Sequence, residues 1–312
     1  MGRVMLECRG GALIVLLNGT VRGASAIVLL APACGGQSAS AGQEASLEFR
    51  LDELSAGAFH NCAIRGDGSI ACWTLGDLRP EEDHGQAASP PGRFVDLSAS
   101  WSHSCAVRDS GEVACWGRSE SEYYGQADPP LGRFAKLSAG EHLTCALDAQ
   151  GKVTCWGLDR EEPFVPFSET LGQLAVDSDD VCALDGRGEV HCTGPLQAPP
   201  GPFAEIALGD HHACGLRPNG LVECWGDNDF GQLDAPQQTF LHIDANASHT
   251  CGIRDDHSLA CWGFDTYGGS TPPSGQYSQL STGRWHGCAK AVLGGIACWG
   301  FGSENDVPPD LQ

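Results

Sequence analysis

Short stretches with apolar residues at alternate positions recur along most of this chain. In one example, Cys105–Val107 and Val113–Cys115 both alternate with a period of two and contain β-branched residues. This pattern is typical of strands rather than helices. The sequence Asp109-Ser110-Gly111 between them is a turn signal, so the two stretches predict a β-hairpin. A further strand of the form Phe-x-x-Leu or Phe-x-x-Ile precedes each hairpin, as in Phe94 to Leu97.

The hairpin belongs to a unit that occurs seven times, because seven cysteines are each followed by a second cysteine ten positions later. The pairs are Cys62 and Cys72, Cys105 and Cys115, Cys145 and Cys155, Cys182 and Cys192, Cys214 and Cys224, Cys251 and Cys261, and Cys288 and Cys298. Three or four short strands in about 37 residues bury no face alone, so the units must stack on their neighbours. The predicted fold is all-β, a seven-bladed β-propeller that closes radially and leaves only short edges.

The cysteine spacing predicts one disulfide within each hairpin. Cys105 and Cys115 lie opposite each other about the turn, where Cα atoms are roughly 4.5–5.5 Å apart, within reach of a disulfide. Pairs of free thiols in a cytosolic protein remain an alternative. Zinc sites favour closer cysteine ligands than C-x9-C, so a metal centre is a weaker interpretation.

The first 46 residues do not carry the repeat. Apolar runs end in small residues before Cys34, which predicts an export signal over 1–33 with a lipoprotein-like cleavage site. A Gly/Ser/Gln-rich linker over 34–46 then leads to the propeller over 47–312. Cys34 is the candidate for lipidation, and simple cleavage is the alternative. The predicted location is therefore exported, either as an outer-membrane or periplasmic lipoprotein or as a secreted protein.

The charge of the chain narrows the choice of partner. Its 18 basic and 40 acidic residues give a net charge of −22. Such a surface repels nucleic acid and anionic membranes, so a lipid anchor at Cys34 is the one membrane contact that we expect. The acidic surface favours a basic or neutral protein as the partner, and we expect the chain to be a monomer. A solvated acidic surface without a specific partner would give the same composition.

The pattern His-x-Cys-Ala-Leu, Gly-x-Val-x-Cys-Trp-Gly and Gly-Gln resembles the regulator of chromosome condensation repeat, in its bacterial, cysteine-rich version. The resemblance covers about Leu51 to Gln312. It implies a seven-bladed propeller but no single function, because the family includes an exchange factor for a small GTPase, a photoreceptor and a secreted enzyme inhibitor. The inhibitor illustrates how loops on one rim grip another protein.

Residues that repeat are expected to serve the scaffold. A histidine stands two positions before the first cysteine in five units, and a ring of imidazoles is a conceivable metal site. The stronger expectation is a structural role, so we expect no metal and no cofactor. The five residues are His60, His103, His212, His249 and His286. Six Cys-Trp pairs are likewise expected to form the core between blades.

Aromatic residues that do not repeat are the candidates for recognition. They occur in the irregular loops, where aromatic side chains commonly anchor a protein interface. The candidates are Phe59, Trp101, Tyr123, Tyr124, Phe230, Tyr267, Trp285 and Phe301. No catalytic motif occurs, so we expect a non-catalytic protein that binds another macromolecule through its variable rim loops. The alternative is an extracytoplasmic enzyme, for instance one acting on carbohydrate, that uses loop carboxylates and histidines near the central depression.

Overall fold

The computed structural model describes the backbone of residues 5–9 and 12–16, and all atoms of residues 53–76, 83–118, 124–158, 166–302 and 307–312. The chain divides into two compact units, Met1–Leu47 and Glu48–Gln312. In the first unit, β1 (Met5–Arg9) pairs antiparallel with β2 (Ala12–Leu16). Cys34, the linker over 34–46 and most of the 1–33 segment lie outside the described residues.

The second unit contains seven three-stranded antiparallel sheets, each formed by consecutive strands. Blade 1 has β3 (Leu54–Ala56), β4 (His60–Ile64) and β5 (Ile70–Thr74), and blade 2 has β6 (Phe94–Ala99), β7 (His103–Arg108) and β8 (Val113–Gly117). Blade 3 has β9 (Lys136–Ala139), β10 (Leu143–Leu147) and β11 (Val153–Gly157), and blade 4 has β12 (Leu171–Asp177), β13 (Asp180–Asp185) and β14 (Val190–Cys192). Blade 5 has β15 (Glu205–Leu208), β16 (His212–Leu216) and β17 (Val222–Gly226). Blade 6 has β18 (Phe240–Asn246), β19 (His249–Arg254) and β20 (Leu259–Gly263), and blade 7 has β21 (Tyr277–Thr282), β22 (His286–Ala291) and β23 (Ile296–Gly300). A short 3-10 helix, Pro309–Leu311, follows.

One disulfide closes the hairpin of every blade, which confirms the prediction from the spacing. The seven bonds, in chain order, are those of Cys62 with Cys72, Cys105 with Cys115, Cys145 with Cys155, Cys182 with Cys192, Cys214 with Cys224, Cys251 with Cys261, and Cys288 with Cys298. None of these fourteen cysteines is therefore a free thiol or a metal ligand.

The paired cysteines approach slightly more closely than predicted, with Cα atoms 4.0–4.1 Å apart rather than the expected 4.5–5.5 Å. The register explains the difference. In blade 2 the N–H of Arg108 donates to the carbonyl of Glu112, which places Cys105 and Cys115 at the alternate, non-hydrogen-bonded positions. At these positions the strands of an antiparallel pair lie closest together.

Buried tryptophans fill the space between neighbouring blades. Trp116 of blade 2 packs with Cys62 and Ile64 of blade 1, and its indole N–H donates to the Gln86 carbonyl at 2.8 Å. Trp156, Trp262 and Trp299 make the same bond to the residue thirty positions earlier. Blade 4 differs, because Thr193 occupies the tryptophan position and β14 is only three residues long.

The first strand of each blade lies innermost, and side chains join these strands around the ring. The N–H of Ala99 donates to Ser55 Oγ of blade 1 at 2.8 Å. The same link closes the ring, since the N–H of Ala56 in blade 1 donates to Ser281 Oγ of blade 7 at 3.0 Å. The C-terminal 3-10 helix adds an ion pair from Asp310 to Arg65 of blade 1 at 2.7 Å. The first and last blades therefore meet through side chains and the C-terminus.

Candidate functional site

Two loops from each blade lie side by side on one face of the ring. In blade 7 the N–H of Phe301, which follows the third strand, donates to the carbonyl of Trp285, which precedes the second strand. The corresponding bond in blade 6 joins Phe264 N–H to the Ser248 carbonyl at 2.9 Å. We call this the loop face, and we call the opposite face, which carries the hairpin turns such as Asp109 to Gly111, the turn face.

The repeated histidines do not line this face, because each is buried between blades. His103 Nε2 is hydrogen-bonded to Thr144 Oγ1 of the next blade at 3.0 Å. The Thr144 hydroxyl donates to the Gln126 carbonyl, so its oxygen accepts from the His103 ring. Burial and the nearby His142 lower the pKa of His103 to about 4, which keeps the ring neutral.

The same link recurs around much of the ring. Hydrogen bonds join His60 to Ser104 at 2.6 Å, His212 to Thr250 at 2.8 Å, and His286 to Asn61 at 2.7 Å. These four histidines therefore connect adjacent blades rather than the backbone of their own. His249 differs, because Gly287 stands at the hydroxyl position of blade 7 and the His249 Nε2 atom is buried without a hydrogen-bond partner among the described residues. Among the described residues no group of three or more His, Cys, Asp or Glu side chains is arranged to hold a metal ion.

One break in this pattern is compensated on both sides. Blade 3 has Leu143 in the place of the histidine, and blade 4 has Val181 in the place of the hydroxyl residue. Both side chains are 1% exposed and belong to one apolar cluster between the blades. An apolar pair leaves no buried polar group without a partner, so it is a stable substitute for the hydrogen-bonded pair.

Most of the aromatic residues that the sequence singled out come together on the loop face. Phe59 contacts both Trp101 and Trp285, with ring centroids 6.0 Å apart in each case. Tyr267 contacts Trp285 at 5.8 Å and Phe301 at 5.4 Å. We call the contiguous set the aromatic band; it consists of Trp101, Phe59, Trp285, Phe301, Tyr267, Phe264 and Phe230.

The aromatic band is open to solvent at one end. Phe230, Tyr267 and Phe301 are 54%, 48% and 44% exposed, whereas Trp101, Phe59 and Trp285 are partly buried. The band thus combines partly buried rings, which are held by their neighbours, with exposed rings that a partner can contact. Two candidates do not join it: Tyr124 contacts His142 with ring centroids 4.2 Å apart, and Tyr123 lies outside the described residues.

A group of charged residues lies beside the band at the mouth of the central channel. Glu141, Asp177, Asp210 and Arg284 line a cavity of about 20 Å³ together with Trp101. The Arg284 guanidinium lies 3.7 Å from the centroid of the Trp101 ring, a cation–π contact. We call the three carboxylates the acidic mouth.

Burial and neighbouring charges determine the pKa of Asp177 in the acidic mouth. Burial raises the pKa of Asp177 well above its usual value, and the negative charges of Asp210 and Glu141 raise it further, while Arg284 opposes them. The Asp177 carboxylate accepts from the Ser178 N–H at 2.8 Å, but its Oδ2 is buried without a hydrogen-bond partner among the described residues. Burial and the neighbouring acids therefore favour the neutral form of Asp177, and Glu141 and Asp210 supply the negative charge that Arg284 opposes.

A second charged pair lies deeper in the ring, on the first strands. His242 Nδ1 and Glu205 Oε1 are 2.6 Å apart. Burial opposes charge on this ring, but the hydrogen bond and the negative charge of Glu205 prevail and raise the pKa of His242 to about 9. The His242 side chain keeps 40% of its surface accessible because it faces a cavity of about 150 Å³ inside the channel. This pair links blades 5 and 6.

Sequence reasoning did not identify the acidic mouth as a site. A signal was available, because Glu141, Asp210 and Arg284 all stand four positions before the first cysteine of their blades, where blades 1 and 6 have alanine. Alignment on the cysteine thus exposes this position as one that does not repeat. Aligned position alone did not indicate that these side chains converge on the axis.

A sequence profile matches two of the blades. The regulator of chromosome condensation (RCC1) repeat profile matches residues 94–126 and 203–232, which cover most of blade 2 and its following loop, and most of blade 5 and its following loop. Two of the seven blades thus match the RCC1 repeat, and the other five share their three-stranded sheet and their disulfide. No curated protein matches the chain.

Solved structures resemble this chain over most of its length. The CRINKLY WD40 ectodomain of the receptor kinase ACR4 from Arabidopsis thaliana is 25% identical, with a TM-score of 0.68 over 83% of this chain and 98% of that one. The ectodomain of the receptor kinase CR4 from Physcomitrella patens is 26% identical, with a TM-score of 0.66 over 80% and 73%. Human WBSCR16, at 14% identity and a TM-score of 0.62 over 76% and 86%, shares the fold. Among the described residues no helix has the length and apolarity to cross a membrane.

Proposed function

We propose that this chain is an RCC1-type propeller that is exported and non-catalytic, and that it recognises another protein through its loop face. The aromatic band is the observation that carries the proposal. Its seven rings form one continuous surface, and its exposed members would contact water in the isolated chain. Exposed contiguous apolar surface of this kind marks interaction sites, and aromatic anchors commonly dominate the binding energy.

Seven disulfides support the exported location, because such bonds persist in oxidising compartments. The two plant structures that resemble this chain are ectodomains of receptor kinases, which is consistent with a propeller outside the cytosol. We propose that the chain acts as a monomer on a protein partner, and that its membrane contact is limited to a lipid at Cys34.

The enzyme alternative receives less support from the geometry. The carboxylates of the acidic mouth do converge, as that alternative requires, but their cavity of about 20 Å³ holds little more than a water molecule. The five repeated histidines are at most 1% exposed and face neighbouring blades, so none of them reaches the central depression. A sugar between two catalytic carboxylates needs far more space.

Capture of a partner by the full, oxidised chain tests the proposal. The chain and its Trp285→Ala variant would be immobilised and exposed to the extracytoplasmic proteins of the source cell, and the captured protein would be identified, purified and titrated. We expect Trp285→Ala to weaken binding at least tenfold, because it removes the ring that contacts Phe59, Tyr267 and Phe301.

A matched control comes from the turn face. Leu293 is 101% exposed in the hairpin turn of blade 7, so Leu293→Ala changes the apolar surface of the same blade on the opposite side. Equal loss of binding in both variants, or no loss in either, would contradict the assignment of recognition to the loop face. Turnover of a substrate that falls abruptly with Glu141→Gln would favour the enzyme.

A further inference from the structure

The loop face carries an uneven distribution of charge. Apart from histidines, the basic side chains among its described residues are Arg118 and Arg284, whereas the acidic ones include Asp128, Asp179, Asp210, Asp227, Asp229 and Asp265. The turn face is more balanced, because its arginines alternate with acidic residues, as in the pair of Arg217 with Glu223. Among the described residues, the excess of negative over positive charge is therefore concentrated on the face that also carries the aromatic band.

The two features occupy different halves of that face. The aromatic band extends from Trp101 of blade 2 through blades 1 and 7 to the loops after blades 6 and 5. The acidic mouth comes from blades 3, 4 and 5. Trp101 belongs to the band and also lines the cavity of the mouth with Glu141, so the halves adjoin without a gap.

Arg284, which lies at this junction, does not neutralise the carboxylates by direct contact. Arg284 is stacked over Trp101, and also lies 4.9 Å from the Trp285 ring centroid. Within the described residues, no ion pair shorter than 4.0 Å joins it to Glu141, Asp177 or Asp210. Glu141 Oε1 lies 3.6 Å from His142 Nε2, and Asp210 accepts from the Ser178 hydroxyl at 3.2 Å. Among the described residues neither carboxylate pairs with a lysine or arginine, which leaves both able to meet a second cation.

We propose that the loop face recognises a two-part segment of its partner, in which an aromatic or aliphatic side chain lies next to a lysine or arginine. The apolar side chain packs on the aromatic band near Phe59 and Tyr267, and the cation lies against Glu141 and Asp210 at the acidic mouth. This inference rests on the proposed function, since it names the chemistry of the partner at the same surface. Charge complementarity supports this inference, because the carboxylates of the acidic mouth would repel an acidic segment.

Selection from a library of random peptides displayed on phage tests the inference without knowledge of the partner. The full, oxidised chain is the bait, and Leu293→Ala is run in parallel. We expect the selected peptides to combine aromatic or aliphatic residues with neighbouring lysine or arginine. Their affinity should fall as salt is raised, because exposed charge pairs are screened.

Paired variants locate the charge contact. Glu141→Gln/Asp210→Asn removes two charges from the acidic mouth with little change in shape, and Asp109→Asn/Glu112→Gln removes two from the turn face. We expect a selected peptide to bind the first variant about tenfold more weakly and the second as well as the parent chain. Thermal unfolding of both variants checks that the fold is retained.

The outcomes separate the two hypotheses. Selected peptides that are acidic or uncharged, or whose affinity is unchanged by Glu141→Gln/Asp210→Asn, would overturn the two-part epitope. If those peptides still lose affinity with Trp285→Ala, the proposed function stands and the inference alone is wrong. An empty selection combined with capture of an intact partner also overturns the inference. Binding that is indifferent to Trp285→Ala contradicts the proposed function itself.

Discussion

The contacts between blades and the loop face both break the sevenfold repeat, but they do so differently. Between blades 3 and 4, the histidine and its hydroxyl partner are replaced together by Leu143 and Val181, and the new pair is buried as completely as the old one. On the loop face, Trp101 stands where other blades have small or polar residues, and Trp285 stands where five of the other six do, blade 1 having Phe59. Their outer neighbours Tyr267 and Phe301 remain exposed. Replacing both members of the buried pair together preserves the scaffold. The exposed aromatic residues of the loop face have no such matching change within the chain, and a binding partner would bury them, which is why we assign recognition to the loop face.

The largest expected effect contrasts one tryptophan from each region. Trp116→Ala removes a buried ring and its bond to Gln86, and should lower the free energy of unfolding by about 3–5 kcal/mol. Trp285→Ala should lower it by much less, because the ring is partly exposed, yet should weaken partner binding. Urea unfolding of the disulfide-bonded variants measures the difference. Equal destabilisation would show that the aromatic band is part of the scaffold.

The second prediction reproduces the natural Leu–Val exchange at another position. Thr144→Val leaves the buried Nε2 of His103 without its partner and should cost about 1–3 kcal/mol. Adding His103→Leu to this variant should recover much of the loss, since the interface then matches that of Leu143 and Val181. A double-mutant cycle from denaturant unfolding gives the coupling. Simple additivity of the two substitutions would refute the idea that the pair acts as a unit.

The third prediction concerns pH and uses the same variants. Burial lowers the pKa of His103 to about 4, below the value of about 6.5 in an unfolded chain. The unfolded state therefore binds the extra proton first, and stability that is present above pH 6.5 is lost as the pH falls towards 4. The wild type should lose up to about 1.4 kcal/mol per pH unit more than His103→Leu/Thr144→Val over this range. Parallel stability curves for the two proteins would be inconsistent with a neutral, buried imidazole.

The smallest expected effect is at the control position on the turn face. Leu293→Ala removes a side chain that is 101% exposed, so both the free energy of unfolding and partner affinity should change within experimental error, about 0.5 kcal/mol. Calorimetry and a binding titration on the same preparation check this. A marked loss of affinity would place part of the interface on the turn face and would contradict our assignment.

Much of the fold follows from local sequence. The spacing of Cys105 and Cys115 determines their register about a tight turn, so strands, hairpin and disulfide are all local consequences. The closure of the ring is not local, because it depends on contacts such as His286 with Asn61, which lie 225 positions apart in the chain. The hydrogen-bond partners of the histidines could not be predicted for the same reason. The sequence shows that a histidine repeats, but not that the imidazole reaches the neighbouring blade.

The candidate site was only partly predictable. Loss of repetition identified Phe59, Trp101 and Trp285 as residues outside the scaffold. Their convergence into one band requires the curvature of the ring, which brings the loops of blades 7, 1 and 2 together. Asp177 stands one position earlier in its blade than the other mouth residues, so alignment alone did not group it with Glu141 and Asp210.

Site-specific photo-cross-linking tests the central claim most directly. A photoreactive amino acid placed at Tyr267, in the exposed part of the aromatic band, and separately at Leu293 on the turn face would be activated in the presence of the native extracytoplasmic proteins. We predict a discrete covalent adduct from the Tyr267 position, and its yield should fall when an excess of unmodified chain is added. We predict no adduct from the Leu293 position. An adduct from the Leu293 position alone would contradict the assignment of recognition to the loop face.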